Sequence, residues 1–178
     1  MVYTFEYRTA STPALVKKAS YRTATAPIDL CVTGNIIAVA DLMKSISLIQ
    51  YTKGRAGTAD SLTEIARHFE TCWTTAVANV AENTYLQADA EGNLMVLQHD
   101  VNGYSADDRK RLKPVSEMLL GEMVNRIRPL TSNLTPSPGA PVIPRAFLAT
   151  VDGSIYLYSI IAPESKTCLS ACRAKSRS

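Results

Sequence analysis

FLATVDGSIYLYSI (Phe147–Ile160) follows the same plan as LQADAEGNLMVLQH (Leu86–His99) and AVADLMKSISLIQY (Ala38–Tyr51). Each copy is an apolar strand, an Ala-Asp or Ala-Thr step, a short turn carrying Ser or Asn, and a second strand alternating large apolar residues. The copies are spaced 48 residues (Ala40 to Ala88) and 61 residues (Ala88 to Ala149) apart. A β-hairpin recurring at this interval predicts propeller blades, because one such sheet cannot bury both of its faces and must stack on neighbours. The expected fold is all-β, an incomplete β-propeller of about three four-stranded blades. Propellers more often bind than catalyse.

Outward from the hairpins, Val2–Tyr7 and Leu15–Thr23 read as strands, and Ile28–Val32 pairs with Asn35–Ala40 across Thr33-Gly34. Leu62–Phe69 reads either as a helix capped by Ser61 or as the outer strand of a blade, and the repeat spacing favours the strand. Trp73–Val80 is a strand. Asp100–Lys113, centred on DDRKR, is expected to be a solvated loop or a single helical turn. Apolar alternation returns over Met118–Arg126. Five prolines between Pro129 and Pro144 exclude a ladder there and account for the longer second interval.

With 178 residues, 46% of them hydrophobic and 20% charged, the chain can bury a real core. No stretch is apolar enough for a membrane span, and MVYTFEYRT lacks the charge and apolar run of a secretory signal. A nuclear or cytosolic setting is expected. The net charge of +3 is concentrated in residues 165–178, where Lys166, Arg173, Lys175 and Arg177 stand without an acid. The remaining body is mildly acidic and offers no basic stripe for a phosphate backbone.

Four cysteines (31, 72, 168, 172) show no paired ligand clusters, so neither metal nor cofactor is expected. Cys31 and Cys72 read as small buried hydrophobes. His68 and His99 stand in no catalytic constellation and read as packing or surface residues. Asp41, Asp89 and Asp152 recur at hairpin turns, where Asp bonds to its own following backbone. An enzyme is not expected. A binding site is, at Leu42-Met43-Lys44, because turn geometry does not require two large apolar residues in a turn. The alternative is that Leu42 tucks against its own blade. Trp73 either sits at a rim or packs in the core, and the core is the stronger expectation from the residue alone.

ADLMKSISLIQY, LTEIARHFETCWTTAV, YLQADAEGNLMVL, LLGEMVN and FLATVDGSIYL, in that order, resemble the cleavage and polyadenylation specificity factor A subunit family. Within it they are most similar to the branch supplying the large subunit of UV-damaged DNA-binding complexes. The resemblance runs from about Val2 to Pro163. It implies a segment of the C-terminal propeller of three, with 164–178 as a disordered tail outside the family pattern. It further implies an adaptor for a cullin-RING ubiquitin ligase, nuclear and linked to nucleotide excision repair, that grips helical motifs of WD-repeat substrate receptors. Other propellers of the same protein would be its neighbours, and nucleic-acid contact would be indirect. The alternative is a nucleic-acid-binding propeller of the relatives in mRNA 3′-end processing or splicing. Cleft residues carried over by the resemblance are Leu42, Lys44 (Arg in relatives), Trp73, Asn125 and Val151, with Met123 where relatives carry Phe. At Ala90–Gly92 the family's Asn and Phe are missing. Three blades are too few to close a ring, so the chain alone is expected to leave unpaired strand edges.

Overall fold

The computed structural model describes residues 1–9, 14–55, 57–130 and 142–161. Strands β1 (Val2–Arg8) and β2 (Ala14–Tyr21) form an antiparallel N-terminal hairpin. A first four-stranded sheet follows in chain order, from β3 (Pro27–Thr33), β4 (Ile36–Asp41), β5 (Ser45–Thr52) and β6 (Ser61–Arg67). The second sheet is built the same way from β7 (Thr74–Ala81), β8 (Thr84–Asp89), β9 (Asn93–His99) and β10 (Leu112–Leu119), with one helical turn, α1 (Ala106–Arg109), before its last strand. The third sheet holds β11 (Val124–Pro129), β12 (Val142–Thr150) and β13 (Ile155–Ile161). Every pairing within these sheets is antiparallel.

The middle strands explain why the sheets stack. Successive side chains of a strand point to opposite faces. In β4, Ile37 and Val39 therefore meet Val2, Ala19, Ile49 and Leu62, in the core between hairpin and first sheet. Ala38 and Ala40 point the other way, to Ile46, Leu48, Val77, Tyr85, Leu97 and Leu112, between the first and second sheets. A third core joins Ala76, Ala78, Leu86, Ala88 and Leu94 to Val124, Ile127, Ala146 and Leu148 of the third sheet. A strand covered on both faces loses the polar alternation of a half-solvated one, so IIAVAD reads as a continuous apolar run.

The first strands of the three sheets lie side by side, since β7 contacts both β3 and β11. Thr75 Oγ1 donates to the Val124 carbonyl at 2.5 Å, and the Val77 N–H donates to the Asp29 carboxylate at 3.2 Å. Farther out, the Arg67 N–H reaches the Lys110 carbonyl at 2.9 Å. The architecture is an arc of a β-propeller with β3, β7 and β11 innermost.

Several expectations are refined. The ambiguous Leu62–Phe69 segment is strand over Ser61–Arg67. Ser105 caps the turn before β10, its Oγ accepting from the Asp108 N–H at 3.0 Å. The alternation expected over Met118–Arg126 is divided between two sheets, since β10 ends at Leu119 and β11 begins at Val124, and β10 already starts at Leu112 inside the expected loop because most of it is an exposed outer strand. Pro129 and Pro144 lie inside strands rather than in a loop, Pro144 at a register shift where the ladder tolerates a missing N–H. Pro136, Pro138 and Pro141, and the basic tail with Cys168 and Cys172, fall outside the described residues. No helix among the described residues is long and apolar enough to cross a membrane.

Candidate functional site

The three inner strands begin with one repeated local structure. Pro27, Thr74 and Val124 pair with Asp41, Asp89 and Thr150. In each strand the register then skips one residue, Ile28, Thr75 or Asn125, which is a one-residue bulge. The residue just before each strand lends its carbonyl to the turn between the sheet's second and third strands. Ala26 accepts from the Leu42 N–H at 2.9 Å, Trp73 from Ala90 at 2.9 Å and Met123 from Val151 at 3.0 Å.

This geometry makes Trp73 and Met123 equivalent positions, and Leu42 and Val151 likewise, with Asn125 at a bulge. Met43 and Lys44 continue the Leu42 turn. All seven residues singled out in the sequence thus lie on one rim. Trp73 is 60% exposed, Val151 51%, Met43 46% and Leu42 40%. Lys44 and Asn125 are exposed, and Met123 is half-buried. The core position expected for Trp73 is overturned, because its carbonyl is fixed to the Ala90 turn ahead of β7 and its indole is left outside the sheet stack. Leu42 is less exposed than Trp73, Val151 and Met43.

The turns hold their shape without these side chains. Asp41 is buried, and its carboxylate accepts from the Thr25 hydroxyl, from the Thr25 N–H at 2.9 Å and from the Met43 N–H at 3.4 Å. Asp89 accepts from the N–H groups of Glu91 at 2.9 Å and Asn93 at 2.8 Å, and from Asn93 Nδ2 at 2.9 Å. The equivalent residue of the third sheet is Thr150, so Asp152 does not belong to this series. Thr150 Oγ1 accepts from the Ser154 N–H and donates to Glu122 at 2.9 Å. Hydrogen bonds from Tyr156 and Thr150 hold the Glu122 carboxyl below the usual carboxylate range. Turns secured by their own polar groups leave Leu42 and Met43 free to face solvent.

Beneath the rim a buried polar chain ties the first two sheets together. Ser45 is fully buried and sits at φ 60°, a left-handed conformation unusual for Ser. Its hydroxyl donates to Gln87 Oε1 at 2.8 Å and lies 2.8 Å from His68 Nδ1. With its own proton given to Gln87, Ser45 accepts, so His68 carries hydrogen on Nδ1. Gln87 Nε2 in turn points to Cys72 Sγ at 2.8 Å. Burial lowers the His68 pKa and raises that of the Cys72 thiol. Cys72 is thus a half-buried member of a polar chain rather than an apolar filler. The Ser45–His68 pair has the spacing of a nucleophile and base, but no substrate reaches a fully buried hydroxyl.

A cleft of about 570 Å³ opens over this chain. Its lining comes from three connections: Met43 and Lys44 from the β4–β5 turn of the first sheet, Thr71, Cys72 and Trp73 from the β6–β7 connection, and Asp89 and Glu91 from the end of β8 and the β8–β9 turn of the second, with Thr25 beside them. It gathers three of the seven expected residues. Met123, Asn125 and Val151 stand one sheet further along the rim and do not line it. A second cleft of about 490 Å³, lined by Glu82, Asn83, His99, Asp100 and Lys113 among others, involves the β7–β8 turn at the opposite strand ends. Sequence reasoning missed Glu91 and Asp29. The Asp29 carboxylate on β3 accepts from Arg126 Nη1 of β11 at 2.8 Å as well as from Val77. An acid inside the apolar run PIDLCV was the available signal. Among the described residues no group of His, Cys, Asp and Glu is arranged to hold a metal ion.

Comparison with known proteins gives the chain a family setting. The CPSF A subunit region matches residues 1–174. DNA damage-binding protein 1 of Schizosaccharomyces pombe is 36% identical over 138 residues, 78% of this chain and 12% of that protein. DNA damage-binding protein 1a of Arabidopsis thaliana is 35% identical over 146 residues, 81% of this chain and 13% of the relative. DNA damage-binding protein 1 of Solanum lycopersicum is 37% identical over 124 residues, 68% of this chain and 11% of the relative. The chain therefore spans only about 12% of the length of such relatives. With a family match over nearly the whole sequence and a propeller arc beneath it, the chain belongs to the CPSF A subunit region family.

Proposed function

We propose that this chain is part of a propeller scaffold that binds helical segments of WD-repeat substrate receptors through the rim at Leu42, Met43, Lys44, Trp73, Met123, Asn125 and Val151. The observation that carries the reading is the gathering of exposed apolar side chains on one rim, on turns whose geometry does not need them. Exposed apolar groups beside a charged residue are the anatomy of a protein interface rather than of a phosphate-binding surface. On this reading the chain serves as an adaptor segment for a cullin-RING ubiquitin ligase, in the nucleus and in the service of nucleotide excision repair. Residues 1–163 are its propeller part, beside other propellers of a longer protein. Its work is binding and not catalysis.

Retention assays separate this from a nucleic-acid-binding role of the RNA-processing kind. The 178-residue chain should retain WD-repeat receptors, and Trp73→Ala should weaken that retention at least about tenfold. Retention of DNA or RNA alone, weakening steeply with salt, would instead support the nucleic-acid reading.

A further inference from the structure

The cleft carries a charge layout, and from it we infer that this chain selects its partner helix by charge and fixes the direction in which the helix lies. The inference rests on the helix-binding reading above and extends it. The occupant is an amphipathic helix with an acidic row along one flank of its apolar stripe and a basic row along the other.

The cleft is apolar at Met43 and Trp73, and its two sheets contribute opposite charges to it, Lys44 on the β4–β5 turn of the first and Glu91 on the β8–β9 turn of the second. Both side chains are exposed, and neither forms an ion pair among the described residues, with each other or with any third group. Asp89 also lines the cleft, yet its two oxygens are occupied by the backbone and side chain of its own turn. Glu91 is therefore the acid whose carboxylate is free to reach a partner, while Asp89, held by neutral N–H groups, keeps its charge and adds to the negative field on the β8–β9 side.

Apolar lining alone would accept an amphipathic helix in either direction. Unlike charges contributed by the two sheets remove that degeneracy, because reversing a helix exchanges its flanks. A helix acidic on both flanks meets Glu91, one basic on both meets Lys44, and only a mixed one satisfies both turns, in one direction. Rejection of wrong partners by like charge is a common source of specificity at interfaces.

The test uses three helical peptides without Trp that share one apolar stripe and differ in flanks: mixed, both acidic, both basic. Trp73 is the only Trp in the chain, so its emission reports occupancy of this cleft directly. The mixed peptide should bind the 178-residue chain at least about fivefold more tightly than either uniform peptide, the scale expected for exposed charge pairs set against like-charge contacts. Glu91→Lys should shift the preference to the acidic peptide and Lys44→Glu to the basic one. Affinities within twofold for all three peptides, or preferences unmoved by the two variants, would overturn charge selection while leaving helix binding intact. If no peptide alters Trp73 emission, the helix-binding reading itself fails, and the inference with it.

Discussion

Ser45→Ala isolates one hydroxyl in the contact between the first two sheets. The substitution keeps the Cβ and the backbone, and removes only the oxygen that accepts from His68 Nδ1 and donates to Gln87 Oε1, both at 2.8 Å. All three residues are buried, so neither partner can turn to water. A buried polar group left without its partner costs about 1–3 kcal/mol. Two such groups put the expected loss at roughly 2–6 kcal/mol, a large share of the stability of a small domain. Ser45→Gly supplies the internal control. It loses the same hydroxyl but relieves the left-handed strain at φ 60°, and should recover on the order of 1 kcal/mol relative to Ser45→Ala. Urea unfolding followed by circular dichroism measures both. A loss below about 0.5 kcal/mol for Ser45→Ala, or a glycine variant less stable than the alanine variant, would refute the reasoning.

Three further outcomes follow from single sites. Gly92→Ala should lower the melting temperature and cost about 1–3 kcal/mol, because φ is +84° there and a Cβ would meet the Glu122 nitrogen at 3.0 Å and the Gly121 carbonyl carbon at 3.1 Å; an unchanged melting temperature contradicts this. Burial holds the His68 pKa below its ordinary 6.5. Above that pH both states are neutral, and as pH falls through it the unfolded chain binds the proton first, so stability should decline from about pH 6.5 downward to the folded-state pKa. In pH-dependent unfolding, His68→Gln should flatten that part of the profile, and an identical slope in the variant would exclude His68 as its source. Asp29→Ala strands the Val77 N–H and Arg126, and should cost clearly more than Arg126→Ala. Arg126 is 49% exposed, which limits its share of the pair to under about 1 kcal/mol. Equal unfolding midpoints for the two variants would contradict the role given to Asp29.

How much of this was legible depends on which physical signal each feature leaves in the sequence. The hairpins were readable because side-chain alternation and the Ala-Asp or Ala-Thr step both follow from burial and turn chemistry. The start of β10 was not, since an outer strand open to solvent carries residues such as Lys113 and Ser116 that give no period. The inner-strand bulges fall at Ile28, Thr75 and Asn125, three residues with nothing in common, because a bulge is imposed by register and not by residue type. That register also decides the fate of Trp73, which composition assigns to a core. Ser45 gave no hint of its position, as φ 60° is ordinarily the province of Gly or Asn. Leu42 and Met43 were legible as contact residues for the opposite reason: nothing about a turn calls for them.

The central claim is that the rim at Trp73 engages a protein partner. Calorimetric titration of the 178-residue chain with a WD-repeat receptor, repeated with Trp73→Ala, tests it most directly. An exposed aromatic at the centre of an interface carries about 2 kcal/mol or more, so the variant should bind at least about tenfold more weakly while unfolding at the same denaturant concentration. Equal affinities for the two proteins would contradict the account.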